Sequence, residues 1–288
     1  MSRGIRRHIW LVADDYGISP AVSAAIRDLI VRRRINATSV MMTAPSLSPD
    51  EIVRLLDAAG SQGGGKTHAA IGLHLTLTAP FQPRSQNFSP LRNGAFPPLP
   101  EMAGRALGRR LKPDRLDAEI ASQFAAFAAA FGCAPHYVDG HQHIHLFPQI
   151  REAVLRVIRD AAPEAWARQR GRTGPAFRRL ADPKALVLDG LSVRFRRMAD
   201  ACGVPTNPAF AGTYSFRPRS DYAKLFAGFV DGLPNGGLIM CHPGMVDAEL
   251  VRLDPLTDLR EREYAFFGGD AFPQLLAARG VSLEASPD

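Results

Sequence analysis

The segment Asp139-Gly140-His141-Gln142-His143-Ile144-His145 sets a carboxylate and three imidazoles at every second position. In an extended strand, alternate side chains share one face, so Asp139, His141, His143 and His145 are expected to project to the same side. Such a face is expensive to bury unless a metal ion, a proton transfer or water occupies it. Two other segments, Ala13-Asp14-Asp15 and Gly72-Leu73-His74, each close a short apolar run. Three strands that end in potential ligands describe a mononuclear metal site at one rim of a sheet or barrel. Taken singly, Asp14-Asp15 reads equally well as a turn or as part of a site, His74 reads sooner as a satisfied core histidine than as a ligand, and His242-Pro243 reads sooner as a turn. Three histidines on one face rarely serve packing.

The rest of the chain supplies the scaffold for such a rim. Residues 8–13 read as a buried strand. Ser19-Pro20 gives an N-cap and a first-turn proline to a helix reaching about Arg34. Residues 37–43 read as a second strand, and Ser48-Pro49-Asp50-Glu51 repeats the cap with Glu51 at the capping-box position. The glycines at 63–65 form a link to a third strand at 69–75. Residues 78–112, rich in proline and glycine, read as a long loop or lid. A strong helix is expected at 113–131 with Gly132 as its stop. A fourth strand is expected at 136–141, a helix after Pro148 and a fifth strand at 165–168. Within 170–216 only a helix near 190–201 is legible. A late strand at 236–241 ends in His242-Pro243-Gly244, followed by a helix over 256–279 broken at Gly268-Gly269 and a last strand at 281–284. Strands alternating with helices at this pace indicate a parallel α/β architecture. Ligands at the carboxyl ends of several strands suit a barrel better than an open sheet.

Composition narrows the function. The 288 residues carry 35 Lys+Arg against 28 Asp+Glu, a formal charge of +7. The excess is scattered arginine (32–34, 109–110, 168–172, 194–197), not interleaved with stacking aromatics, and no DNA-reading motif accompanies it. We expect a solvated basic surface and no nucleic-acid partner. Three cysteines, Cys133, Cys202 and Cys241, lack CxxC spacing, which argues against a disulfide framework and for a reducing compartment. The apolar run near the N-terminus is too short for a signal-peptide core, and no run approaches the ~20 residues of a membrane span. A cytoplasmic enzyme without a transmembrane segment, folded as one domain over residues 1–288, is the expectation.

Four segments carry a resemblance. Val12-Ala13-Asp14-Asp15-Tyr16-Gly17, Ile71-Gly72-Leu73-His74, Asp139 to His145 with Pro148 following, and Cys241-His242-Pro243-Gly244 together resemble the YdjC/ChbG/HpnK family of carbohydrate deacetylases, which are related to NodB-type polysaccharide deacetylases. Arg260 to Glu263 is a weaker match. The resemblance implies a distorted (β/α) TIM-like barrel holding one divalent ion, Mg2+ or Zn2+, with Mn2+ or Co2+ as further options. It implies Asp15, His74 and His141 as ligands, Asp14 as general base and His242 as the acid that protonates the leaving amine. The implied reaction removes the N-acetyl group of an amino sugar and releases acetate. Strand geometry does not choose among His141, His143 and His145. The resemblance points to His141, leaving His143 and His145 to orient ligands or contact sugar. Asp139 is a candidate acceptor for an imidazole N–H, and Arg168 a partner for a site carboxylate or for substrate.

The substrate stays open among a chitin fragment, a glycolipid headgroup and another acetamido sugar. Residues 78–112 and 170–216, where sugar specificity would reside, match no pattern. A metal-dependent amidohydrolase or phosphoesterase on a barrel is the alternative. Those folds place His-x-His at the end of the first strand, which here ends in Asp-Asp. A non-catalytic carbohydrate-binding relative would be expected to lack one of the catalytic groups, and all are present. A homodimer suits a compact barrel enzyme, although the sequence does not fix the oligomeric state.

Overall fold

Parallel pairing dominates the computed structural model, which describes residues 7–60, 67–171, 183–214 and 221–283. The chain begins β1 (Arg7–His8), β2 (Trp10–Tyr16), α1 (Pro20–Val31), β3 (Ala37–Val40), α2 (Pro49–Ala59) and β4 (Ala70–Leu75). Then come α3 (Leu99–Leu107), α4 (Pro113–Phe131), β5 (Tyr137–Gly140), a 3-10 segment (His141–Leu146), α5 (Ile150–Ala161) and β6 (Trp166–Ala167). The second half holds α6 (Pro183–Cys202), β7 (Phe210–Ala211), α7 (Tyr222–Asp231) and β8 (Leu238–Cys241). It closes with α8 (Ala248–Leu253), α9 (Asp258–Gly268), α10 (Ala271–Ala278) and β9 (Val281–Ser282).

Seven strands form one sheet in the order β6-β5-β4-β3-β2-β8-β7. The two ends of the sheet are drawn together by the chain preceding β7. Ala167 N donates to Pro205 O at 2.8 Å, and Phe210 N donates to Gly171 O at 3.0 Å. Ala167 also pairs with Thr206 in parallel. The curled sheet is therefore a distorted (β/α) barrel. Helices pack on its outside, and β1 and β9 make a separate two-stranded ribbon.

The period-2 pleat explains what fills the barrel. Trp10 and Val12 of β2, Ala37 of β3, Ala70 of β4, Tyr137 of β5, and Leu238 and Met240 of β8 form an inner apolar cluster with Trp166 and Phe210. The Tyr137 and Trp166 rings stack at 4.5 Å. A Cβ on Gly72 would lie 2.5 Å from the Tyr137 ring, so only glycine fits on β4 at that height. Two residues further along these strands the inward side chains turn polar: Asp14, Ser39, His74, Asp139, Arg168 and His242. One end of the barrel is thus packed with apolar side chains and the other is loaded with titratable groups, as in barrels whose chemistry sits at the carboxyl ends of strands.

The helix signals read from sequence act as expected. Ser19 Oγ accepts from Val22 N at 3.3 Å and Ser48 Oγ from Glu51 N at 3.2 Å. Glu51 does not return to complete a capping box; its carboxylate takes the Tyr16 hydroxyl and Arg27 instead. Gly132 stops α4 at φ 71, and the tail helix breaks between Gly268 and Ala271.

Three further expectations are corrected. The strand carrying Asp139 ends at Gly140, and residues 141–146 wind into an irregular 3-10 segment with Gln142 (φ 54) and His143 (φ 58) left-handed. The three histidines therefore do not share a face. Residues 78–112 are not all loop, because they contain α3. The helix expected near 190–201 begins at Pro183, and β7, α7 and α8 went unread. The glycines at 63–65, Arg172 and Glu284 lie outside the described residues.

Candidate metal centre and catalytic pocket

Asp14 and Asp15 are adjacent, so a regular strand would send them to opposite faces. The pairing of β2 with β3 shifts register between Ala13 and Tyr16, and Asp15 takes φ 68. A bulge of this kind re-aims a side chain, and it brings both carboxylates to the rim. Non-glycine residues pay for the left-handed region, so three of them here (Asp15, Gln142, His143) store strain at one locus.

Asp15 Oδ1 lies 3.0 Å from His141 Nδ1 and 3.2 Å from His74 Nε2. Donor atoms of these three buried residues all lie within 4.8 Å of one another. His74 Nδ1 sits 2.5 Å from Asp139 Oδ1 and 3.0 Å from Ser39 Oγ. Donation from Nδ1 to Asp139 leaves the Nε2 lone pair facing Asp15, the arrangement in which a carboxylate fixes the tautomer of a ligating histidine. One carboxylate and two imidazoles are a donor set that divalent ions accept, so these residues fit a metal. A second cluster, Asp14, His74 and Asp139, is also close enough. There the carboxylates are already engaged by Arg168, which makes that cluster the poorer cation site.

Arg168, fully buried, donates Nη1 to Asp14 Oδ2 at 2.8 Å and Nη2 to Asp14 Oδ1 at 2.6 Å, and also contacts Asp139. Burial pushes the Asp14 carboxyl up, but the Arg168 guanidinium wins and holds it below the usual carboxylate value. Asp15 is treated alike. Burial opposes its ionisation, and Arg260 together with His141 keeps it well below the ordinary range. Arg260 Nη2 donates to Asp15 Oδ2 at 2.6 Å and to Asp254 Oδ2 at 2.8 Å.

His242 follows β8, with Nε2 4.0 Å from Asp14 Oδ2. Its backbone N–H donates to Glu263 Oε2 at 2.6 Å, and Tyr214 Oη donates to Glu263 Oε1 at 2.8 Å. Burial raises the Glu263 carboxyl above its ordinary value against the pull of His242. His143 lines the cavity edge-on to Phe210. His145 does not line it: its ring packs on Phe195, and its Nε2 lies 2.9 Å from Arg168 O, behind the wall. Burial drives its pKa down to about 4, so the neutral ring donates to that carbonyl.

The cavity above these groups measures about 960 Å³. Its floor is Asp14, Asp15, His74, His141 and His242, and its upper wall is largely aliphatic, with Leu99, Val187, Leu188, Leu256 and Leu259. Sequence reasoning did not single out Ser39, Arg170 or Tyr214, and met Arg260 and Glu263 only inside a weak match. Ser39 was findable, since it lies two residues along β3 from the inward Ala37.

A family model described as YdjC-like protein matches residues 8–278. Chitooligosaccharide deacetylase of Serratia marcescens is 26% identical over 274 residues, 85% of this chain and 88% of that protein. The Proteus mirabilis chitooligosaccharide deacetylase is 30% identical over 157 residues, 54% of this chain, so the match spans 57% of that protein's length. Among solved structures, an Enterococcus faecalis V583 protein provisionally assigned to cellobiose-phosphate cleavage superposes with a TM-score of 0.72. It covers 97% of both chains at 19% identity, a likeness of fold.

Proposed function

The chain belongs to the YdjC-like family, and from that premise we propose that it is a metal-dependent N-deacetylase of an acetylated amino sugar. The observation that carries this reading is the convergence of Asp15, His74 and His141 on one point beside an arginine-paired Asp14. We assign Asp15, His74 and His141 as the residues that would hold the ion. When bound, that ion supplies Lewis-acid polarisation of the acetamide carbonyl and acidifies water at the site.

The chain's own groups do the proton work. Asp14, kept ionised by Arg168, takes the proton of the attacking water at a carboxylate oxygen. The water oxygen bonds to the carbonyl carbon, the C–N bond breaks, and His242 delivers a proton to the departing nitrogen. Acetate and the free amine are the products. Asp139 and Ser39 orient His74, while Glu263 fixes the backbone that presents His242. His143 faces the cavity and contacts substrate, and His145 holds Arg168 in place through its carbonyl.

Two imidazoles in the donor set favour zinc over magnesium, a hard ion that prefers oxygen; manganese and cobalt also suit it. Three cysteines without disulfides support a cytoplasmic setting. No helix among the described residues is long and apolar enough to cross a membrane. We read residues 1–288 as one deacetylase domain, compatible with a homodimer.

Two of the three open substrate classes draw support. The names of the curated relatives favour a chito-oligosaccharide. The aliphatic wall favours an acetamido sugar bearing an apolar group, as in a glycolipid headgroup. The test is acetate release from N,N′-diacetylchitobiose by chelator-stripped protein, with zinc, magnesium, manganese or cobalt restored singly. Acetate that returns with one ion supports the reaction. Bound metal with no acetate from this sugar or from an N-acetylglucosaminyl lipid would overturn it.

A further inference from the structure

Glu119 and Gln123, one turn apart on α4, are completely buried and line no part of the cavity. A buried carboxylate is costly unless its oxygens are met, and Glu119 is met by backbone and amide donors. Its Oε1 accepts from Arg84 N at 3.1 Å and from Gln123 Nε2 at 2.8 Å, and its Oε2 accepts from Ser85 N at 2.8 Å. Gln123 in turn grips Thr76. Its Nε2 donates to Thr76 O at 2.8 Å, and its Oε1 accepts from Thr76 N at 3.1 Å. Two side chains of one helix thus clamp both ends of the segment 76–85, which starts two residues after His74.

Inside that segment Phe81 is 3% exposed and presents its ring to His141, at 5.6 Å between centroids and 89° between planes. Its carbonyl is itself held, accepting from Phe96 N at 2.9 Å. The His141 ring therefore has Asp15 at Nδ1, His74 edge-on at 5.6 Å, and Phe81 as a further neighbour that limits its rotation. An apolar residue at position 119 would pack in the same space, but it could not fix two consecutive backbone N–H groups.

We propose that Glu119 is a positioning residue for the metal centre, acting on His141 through the 76–85 segment and Phe81. The inference rests on the reading of His141 as a ligand. Groups that orient metal ligands typically contribute about 10- to 100-fold in metal affinity, which sets the expected size.

The experiment titrates Co2+ into chelator-stripped wild type, Glu119→Gln, Phe81→Leu and the double variant, and records affinity and the visible absorption band. Metal-free unfolding midpoints are measured alongside. Glu119→Gln and Phe81→Leu should each weaken binding by about tenfold and shift the band. The double variant should be little weaker than either, because both changes break one chain of contacts. A merely structural Glu119 would lower the metal-free midpoint and leave affinity and band unchanged, which overturns the proposal; so would strictly additive losses. Should Glu119→Gln fail to fold, Phe81→Leu keeps the hydrogen bonds of Glu119 and decides alone, with unchanged affinity overturning the proposal. A wild-type chain that takes up no Co2+ overturns instead the metal reading beneath it.

Discussion

Asp14 and Asp15 share a backbone corner yet answer to different arginines, and that division separates their work. Asp14 has both oxygens on Arg168, whereas Asp15 gives one oxygen to Arg260 and turns the other to His74 and His141. Asp14→Asn should lower kcat by roughly 10²–10⁴-fold, the span of general-base effects, with metal content unchanged by elemental analysis. Loss of metal would make Asp14 a ligand. His141→Ala should instead deplete the metal, and full occupancy would transfer that role to another histidine. His145 predicts a pH effect. Its folded pKa, about 4, lies below its ordinary 6.5, so the unfolded chain binds the extra proton first as pH falls. Stability attributable to His145 is therefore present above pH 6.5 and lost progressively as pH falls toward about 4, by on the order of 3 kcal/mol. Urea unfolding at pH 7.5 and 5 should show about 2 kcal/mol of that loss in wild type and a smaller one in His145→Gln. Equal slopes would exclude His145 as the source.

At the level of elements, legibility followed whether the governing interaction was local. Ser19-Pro20 and Ser48-Pro49 announced α1 and α2 because a cap is written in adjacent residues. The 139–145 run misled because period-2 histidines look like a strand, while the left-handed turn at Gln142 and His143 carries no glycine or asparagine to mark it. Helix α3 hid in a proline-rich stretch because Pro98 caps it without a side-chain hydrogen bond. Strand β7 and helix α7 depend on docking against β8 and α9, which no short pattern records. The β4–β5 pair offers a test of how tightly the barrel interior is packed. Gly72→Ala would press a methyl against the Tyr137 ring at 2.5 Å, and overpacking of this kind costs about 1–3 kcal/mol. Combining it with Tyr137→Val should recover much of that loss in denaturant midpoints. An undiminished loss in the double variant would move the clash from the ring to the backbone.

Across the whole molecule, the candidate site is assembled from strands far apart in sequence but adjacent in the sheet: β2, β3, β4, β5 and β8, with Arg168 just past β6. Asp15 and His74 were legible as candidate donors because each closes a short apolar run, whereas His141 was singled out from His143 and His145 only by the family resemblance. Arg168 was legible as a partner for a site carboxylate, but Arg260 was harder to read, since it arrives from a helix and pairs with Asp15 across 245 residues. Arg168 and Arg260 meet Asp14, Asp139 and one oxygen of Asp15, while the other Asp15 oxygen turns to His74 and His141, the point at which we propose that a divalent cation is held. Metal should therefore bind the folded state in preference to the unfolded chain and raise its stability. At a free concentration of 100 times Kd, the gain is about 2.7 kcal/mol. Chelator-stripped protein should melt lower than protein reloaded with zinc, and the difference should grow with free zinc. Asp15→Ala should abolish that dependence, while Asp14→Asn should keep it. A melting temperature indifferent to zinc, in protein shown to bind it, would mean that the ion lies outside the folded rim.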